Sequence, residues 1–302
     1  MPKLVNLGSL CIDHVYGVTN LALAGETVSS SSHEIYPGGK GLNQSLAAAR
    51  AGAEVTHFGC VGDDGQFLVD VLTSAGVAVQ GIRQVSGETS GHAVIQVNEH
   101  GENAIVIAGG TNRLLQRSDF ERAFGELHGD DWLLLQNEIN DIDVVLEMAA
   151  QCEARLAFNI APVDGRESGY DLAAVALLIV NQIEGAAVVG GESEPELLLA
   201  ALAQRWPEMT SVLTLGTRGL LANENGRPIR LAAHSVKTVD ETAAGDAFIG
   251  YLMAGLLAGE DLENSLRLGS AAGALAVTKP GAASSIPLRA DVLKLSTETP
   301  DL

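Results

Sequence analysis

The chain has 302 residues, 46% hydrophobic and 19% charged, which is enough apolar mass for a full core and excludes a disordered chain. Its net charge of −20 argues against nucleic acid or an anionic membrane surface as a partner. Aromatic residues make up only 4% while there are 34 glycines, a balance that suits buried parallel strands packed on helices.

Met1-Pro2-Lys3 leads straight into an apolar strand at Leu4–Leu10, so no signal peptide is expected. Cys11, Cys60 and Cys152 are odd in number and follow no metal-ligand spacing; they read as reduced thiols in a cytoplasmic protein. The stretch from Gly25 to Pro37 turns polar and β-branched. Pro37-Gly38-Gly39-Lys40-Gly41-Leu42-Asn43-Gln44 then sets a glycine-rich turn before helical spacing at Leu42, Leu46 and Ala49. Walker A spacing is absent. The turn is either a tight bend or a place where a polyhydroxy ligand meets backbone, with Asn43 offering both donor and acceptor. A strand is predicted at Val55–Val61. From Gly91 to Ile107, two alternating segments flank Glu99-His100-Gly101-Glu102-Asn103, a hairpin signal. Together with Gly25–Pro37 this hairpin is expected to build a small second sheet, either a lid over a site or a plain surface feature.

Further strands are predicted at Trp132–Gln136, Leu156–Ile160, Leu177–Val180 and Val212–Leu215, with helical spacing between them, as at Val144, Leu146, Met148 and Ala149. The longest apolar run, Leu172 to Val180, is far short of the roughly 20 residues a membrane helix needs. Val236 to Val239 reads as a strand running into a helix that carries Phe248, Ile249, Leu252 and Met253. A last long helix, Leu262 to Val277, stops at Lys279-Pro280-Gly281-Ala282. Strands alternating with helices define an α/β fold with a mostly parallel sheet, and no linker splits residues 1–302 into separate domains.

Ligands of such sheets bind beyond the carboxyl ends of the strands. Polar or glycine-rich signals fall there after several predicted strands, from Cys11-Ile12-Asp13 to Asp240–Asp246. In the last of them the small residues Ala243, Ala244 and Gly245 expose backbone N–H groups at a helix N-terminus, where an anion is favoured. Asp246 sits in the first turn. It either complements the helix dipole or acts as a base beside that anion, taking a proton from an attacking hydroxyl.

Taken together these elements resemble the ribokinase family of carbohydrate kinases, also called the fructokinase B or PfkB family, from about residue 4 to residue 288. Gly38-Gly39-Lys40-Gly41 with Asn43 is similar to its early signature, and Asp240-Glu241-Thr242-Ala243-Ala244-Gly245-Asp246 to its late one. Asn181-Gln182-Ile183-Glu184 is similar to its Asn-x-x-Glu motif, and Thr214-Leu215-Gly216-Thr217-Arg218-Gly219 to its nucleotide-binding turn. The resemblance implies a ribokinase-like fold with a small β-sheet lid at about 14–37 and 91–108. It also implies transfer of phosphate from ATP to the primary hydroxyl of a small sugar, with D-ribose as the first expectation. Asp246 would be the base, and the N–H groups of Ala243, Ala244 and Gly245 the anion hole. Asp13, Gly39, Lys40, Asn43 and Glu138 would hold the sugar. Asn181, Thr214, Gly216, Thr217, Arg218, Gly219 and Ser270 would contact ATP, and Glu184 would order Mg2+ through water. An activating K+ would be held by Asp240, Thr242, Ala276, Lys279, Gly281 and Ser285, and the lid would form a homodimer contact.

One departure stands out. Ribokinases carry Asn-x-Asp after the first strand, whereas this chain has Cys11-Ile12-Asp13. A thiol is a weak hydrogen-bond partner, so deoxyribose, fructose or a nucleoside remains open as the acceptor. A non-catalytic sugar- or nucleotide-binding module is a further alternative. A dinucleotide oxidoreductase would need Gly-x-Gly-x-x-Gly where this chain has Gly8-Ser9-Leu10-Cys11-Ile12-Asp13.

Overall fold

Short, wholly apolar strands can be stable only if both faces of their sheet are covered, and the alternation with helices supplies that cover. The computed structural model describes residues 2–297. The chain runs β1 (Leu4–Leu7), β2 (Cys11–Val18), β3 (Ser30–Gly38), α1 (Lys40–Ala51), β4 (Val55–Val61), α2 (Gln66–Ser74), β5 (Ala78–Gln84), β6 (Gly91–Val97), β7 (Asn103–Ala108) and α3 (Arg117–Gly125). It continues through β8 (Trp132–Gln136), α4 (Ile142–Ala149), β9 (Arg155–Asn159), β10 (Val175–Asn181), α5 (Gln182–Val189), α6 (Pro195–Arg205), β11 (Thr210–Thr214), β12 (Leu220–Glu224) and β13 (Arg227–Leu231). Three helices close it: α7 (Ala244–Leu257), α8 (Leu262–Ala276) and α9 (Arg289–Ser296). No helix among the described residues is long and apolar enough to cross a membrane.

The main sheet has nine strands in the order β13-β12-β11-β10-β9-β8-β1-β4-β5. Pairing is parallel from β11 across to β5, and antiparallel at the β12–β13 edge. Alternate strand residues feed two cores. Leu4, Val55, Leu134 and Ile179 pack under α1, α2, α7, α8 and α9, while Val5, Phe58, Leu133 and Leu178 pack under α3 to α6. Strand order reverses at β1, which has β4 on one side and β8 on the other. In such sheets the crevice at the reversal is where ligands bind.

The second sheet has the order β3-β2-β6-β7. The expected Leu4–Leu10 strand ends at Leu7. Gly8 N still donates to the Phe58 carbonyl of β4 at 3.0 Å, a Cβ at Gly8 would fall 2.3 Å from Gln136 Oε1 and 2.8 Å from Gly41 Cα, and beyond it the chain enters the smaller sheet at Cys11. The polar segment 25–37 and the 91–107 hairpin share this small sheet, as expected, with β2 inserted between β3 and β6. The expected strand at Val236–Val239 is absent. The N–H groups of Val239 and Asp240 instead donate to the Val277 carbonyl, at 2.7 and 3.2 Å, which takes them out of any ladder.

One core residue makes folding pH-sensitive. His57, in β4, is fully buried with Nδ1 2.8 Å from Ser45 Oγ, and burial pushes its pKa down from 6.5 to about 4. A neutral histidine is thus favoured by the fold. Its contribution is complete above 6.5 and is lost as pH falls toward 4, an effect of about 3 kcal/mol. We expect the melting temperature to fall steeply over that window and His57→Asn to flatten the dependence. Equal slopes in the two proteins would rule His57 out as the cause.

Candidate active site

The crevice is built on close backbone contact. A Cβ at Gly41 would lie 2.4 Å from Ser9 N, so the first turn of α1 packs directly on the loop that follows β1. Gly39 has φ +92, a conformation that glycine adopts without steric cost. The N–H of Leu42 donates to the Ser9 carbonyl at 2.9 Å. Glu138, just past β8, receives the Ser9 hydroxyl and, at 3.0 Å, the N–H of Lys40. Its carboxylate thereby holds the N-terminus of α1, where negative charge is favoured.

Asp13, in β2, lies against Gly38, where a Cβ would come within 2.1 Å of its Oδ2. Burial, then the charges of Glu138 and Asp246, push its pKa up to about 7. For Lys40, burial disfavours the ammonium, but the carboxylates of Asp246, Glu138 and Glu184 outweigh it and raise the pKa above the ordinary value. Three carboxylates, on Glu138, Glu184 and Asp246, thus act on one lysine, and Asp13 is coupled to two of them, Glu138 and Asp246.

Asp246 lies in the first turn of α7, as expected, and is buried. Ala243 precedes the helix in the left-handed region, φ +59, a conformation costing roughly 1–2 kcal/mol for a residue with a Cβ. Of the three N–H groups assigned to the anion hole, that of Ala244 makes a long bond, 3.3 Å, to the Glu241 carbonyl. Asp246 Oδ2 accepts from Asn43 Nδ2 at 3.0 Å, and Oδ1 accepts from Gln44 Nε2 at 2.9 Å. Asn43 Oδ1 is buried with no partner within the protein. Gln44 and Asn6 were not among the expected site residues; Gln136 and Asn159, whose side chains also connect to Gln44, fall among the polar signals at strand ends that mark the functional edge, but no role was expected of them. The available signal was amides at otherwise apolar strands, LVNL and WLLLQ. Cys11 is buried too, and its thiol accepts from Asn112 Nδ2 at 3.3 Å. Asn112 also brackets the backbone of Leu10, 3.0 Å to each of its N–H and carbonyl groups.

The other half of the crevice forms at the ends of β10 and β11. Asn181 caps α5 reciprocally with Glu184. The Glu184 N–H donates to Asn181 Oδ1 at 2.9 Å, while Asn181 N and Nδ2 donate to the Glu184 carboxylate at 2.8 and 2.7 Å. Burial raises the Glu184 pKa, opposed by the Asn181 bond and Lys40. Thr214 is in register with Asn181 on the neighbouring strand. Gly216–Arg218 form a 3-10 turn, and at Gly219 (φ +86) a Cβ would meet the Leu231 carbonyl at 2.0 Å. Arg218 turns sideways to Gln182 Oε1, 2.6 Å away. Ser270 lies on α8, half-buried. Asp240 ties two loops together: Oδ1 accepts from Thr242 N and Oγ1 at 2.9 and 2.6 Å, and Oδ2 from Gly281 N at 2.8 Å. Ser285 is buried and donates to the Ala282 carbonyl at 2.9 Å, while the Ala276 carbonyl accepts from Lys279 N at 3.2 Å and the Lys279 side chain is exposed. Among the described residues no cluster of three or more His, Cys, Asp or Glu could hold a metal ion. A cavity of about 620 Å³ opens at the C-terminal ends of α1 and α7, away from this crevice.

The sequence matches the profile of the pfkB family carbohydrate kinases over residues 1–289. It is 32% identical to a ribokinase of Haemophilus influenzae, over 95% of this chain and 96% of that one. A crystal structure of ribokinase from Cryptococcus neoformans in complex with ADP is similar at a TM-score of 0.84 and 30% identity, covering 98% of this chain and 100% of the other. A structure of Arabidopsis thaliana ribokinase complexed with ribose and ATP is similar at a TM-score of 0.86 and 27% identity, covering 98% of this chain and 99% of the other. The chain belongs to the pfkB family of carbohydrate kinases and has the ribokinase-like α/β fold. It is a phosphotransferase of that class.

The close approach of Gly41 to Ser9 has a direct consequence. Gly41→Ala must push α1 away from the β1 loop, and we expect a loss of roughly 2 kcal/mol or more in urea unfolding. An unchanged midpoint would mean that the contact yields without cost.

Proposed function

We propose that this protein transfers the γ-phosphoryl group of ATP to the primary hydroxyl of a small sugar, D-ribose in the first instance, giving ribose 5-phosphate and ADP. The observation that carries the reading is Asp246: a buried carboxylate in the first turn of a helix, with each oxygen held by a side-chain amide. That geometry suits a base that receives the hydroxyl proton while the phosphoryl group develops charge at the helix N-terminus, near the N–H groups of Ala243, Ala244 and Gly245. The unpartnered Oδ1 of Asn43 supports a sugar hydroxyl donating there, beside Asp13, Gly39, Lys40 and Glu138. The molecules in the Cryptococcus and Arabidopsis complexes, ADP in one and ribose with ATP in the other, support the same pair of substrates.

Nucleotide contacts are assigned to Asn181, Thr214, Gly216, Thr217, Arg218, Gly219 and Ser270. Both oxygens of Glu184 already accept from Asn181, which suits a carboxylate that orders Mg2+ through water. That ion would neutralise phosphate charge. Oxygen donors of Asp240, Thr242, Ala276, Lys279, Gly281 and Ser285 are the candidate K+ set, the Asp240 bridge between the two loops holding their backbones together. The sheet of residues 14–37 and 91–108 would close over the sugar and exclude water. Its exposed Ile35, Ile105, Val106 and Ile107 support a homodimer contact.

Cys11 favours a second reading in which the acceptor is deoxyribose, fructose or a nucleoside, because its thiol is buried against Asn112 and offers a hydroxyl little. An ADP-release assay with ribose, deoxyribose, fructose and nucleosides, with and without potassium, separates these. No turnover with any of them would leave the non-catalytic binding module. Asp246→Asn should bind ATP normally and lose roughly 100-fold or more in turnover; retention of about a tenth of wild-type activity would remove Asp246 as the base.

Asp13 adds a pH signature. With a pKa near 7 it is about half ionised in neutral solution, and ionisation frees both oxygens to accept the stronger, charge-assisted hydrogen bonds from sugar hydroxyls. KM for the sugar should therefore fall as pH rises from 6 to 8, and Asp13→Asn should abolish the trend. A flat wild-type KM would contradict the assignment.

A further inference from the structure

We infer that Gln44 is a positioning residue for the catalytic base, and that a relay of buried amides anchored on two backbone carbonyls fixes its NH2 group between Asn159 Oδ1 and Asp246 Oδ1. The inference rests on Asp246 being that base. At one end Asn6 Nδ2 donates to the Gly41 carbonyl at 2.8 Å and to Ser45 Oγ at 2.7 Å. A carbonyl can only accept, so Asn6 must turn its nitrogen to Gly41 and its Oδ1 away. Gln136 Nε2 donates to that Oδ1 at 3.0 Å and to Gln44 Oε1 at 2.8 Å. At the far end Asn159 Nδ2 donates to the Ile179 carbonyl at 3.1 Å, which turns Asn159 Oδ1 toward Gln44. Gln44 Nε2 therefore meets two acceptors, Asn159 Oδ1 at 3.1 Å and Asp246 Oδ1 at 2.9 Å.

Reversing any one amide would set oxygen against oxygen. The relay even tolerates a cost: Gln136 Oε1 is buried with no partner, and rotating Gln136 to relieve it would break two bonds. Asn6, Gln44 and Gln136 are each fully buried, so water does not compete for these groups. The result is a donor fixed on one oxygen of the base, while Asn43 holds the other from the same helix. The carboxylate plane is held before any substrate arrives, as a preorganised base requires.

The test is the pH profile of kcat. Gln44→Glu keeps the acceptor that meets Gln136 but sets a second carboxylate against Asp246 Oδ1, and two carboxylates so close share a proton. The other charged groups acting on Asp246, namely Lys40 on α1, Asp13 on β2 and Glu184 at α5, are unchanged in the variant. The acid limb of kcat should move up by about one pH unit or more, with KM for ATP within about threefold of wild type. An acid limb in its wild-type place in a folded protein overturns the inference. Gln136→Met, which frees Gln44 Oε1 without adding charge, is the second variant. It should lower kcat roughly tenfold at unchanged KM for ATP, whereas wild-type kcat would show that the relay does not orient Gln44. Asp246→Asn measured in parallel distinguishes the two levels. Its turnover surviving removes the base and the relay together, while its collapse beside an unmoved Gln44→Glu profile removes the relay alone.

Discussion

The site depends on how closely α1 and α7 approach. A Cβ at Gly250 would lie 2.3 Å from Ala47 Cβ and 2.6 Å from Ala48 N, so the two helices meet backbone to backbone at that point. Asn43 and Gln44 on one helix and Asp246 on the other are then within hydrogen-bond reach, although about 200 residues separate them in the chain. On its other side α7 is pressed by α8, where Gly269 leaves room for the Phe248 carbonyl at 2.8 Å. Buried around nearly its whole circumference, α7 has no polar face to offer solvent, as a helix apolar all round requires. The carboxylate at its first turn is positioned by core packing, which is rigid on the scale of a hydrogen bond.

Electrostatics set a second constraint. The protein carries a net charge of −20, and in the crevice Glu138, Glu184 and Asp246 act on Lys40 while Asp13 faces Glu138 and Asp246. Further positive character comes from helix N-termini, those of α5 and α7 among them. A neutral polyhydroxy acceptor suits such a pocket better than a phosphorylated one, which would bring further negative charge against these carboxylates. The same crowding raises the pKa of Asp13 and couples sugar binding to pH in the proposed reaction.

Several elements were legible from local pattern. Apolar runs such as Trp132–Gln136 and Val55–Val61 became strands with those bounds, because an unbroken apolar run of that length can be covered only in a two-faced parallel sheet. The hairpin at Glu99–Asn103 and the first-turn place of Asp246 followed from turn chemistry and helical spacing. Two readings failed for one reason. The end of the first strand at Leu7 and the missing strand at Val236–Val239, like the insertion of β2 between β3 and β6, are decided by which distant backbone is available as a partner.

The motifs around Gly39 and Asp246 identify the family and its chemistry without reference to coordinates, since each encodes a local demand: a turn without side chains, or a carboxylate at a helix start. Asn6, Gln44, Gln136 and Asn159 carry no such local sign. A single amide in an apolar strand has the same composition whether it is idle or part of a relay. Its meaning arises only when β1, β8, β9, α1 and α7 pack together and each buried N–H must find one of the few acceptors within 3.1 Å. Residue type and spacing settle which groups do the chemistry. Long-range packing settles which way they point, because a hydrogen bond between buried side chains depends on distances that no stretch of sequence contains.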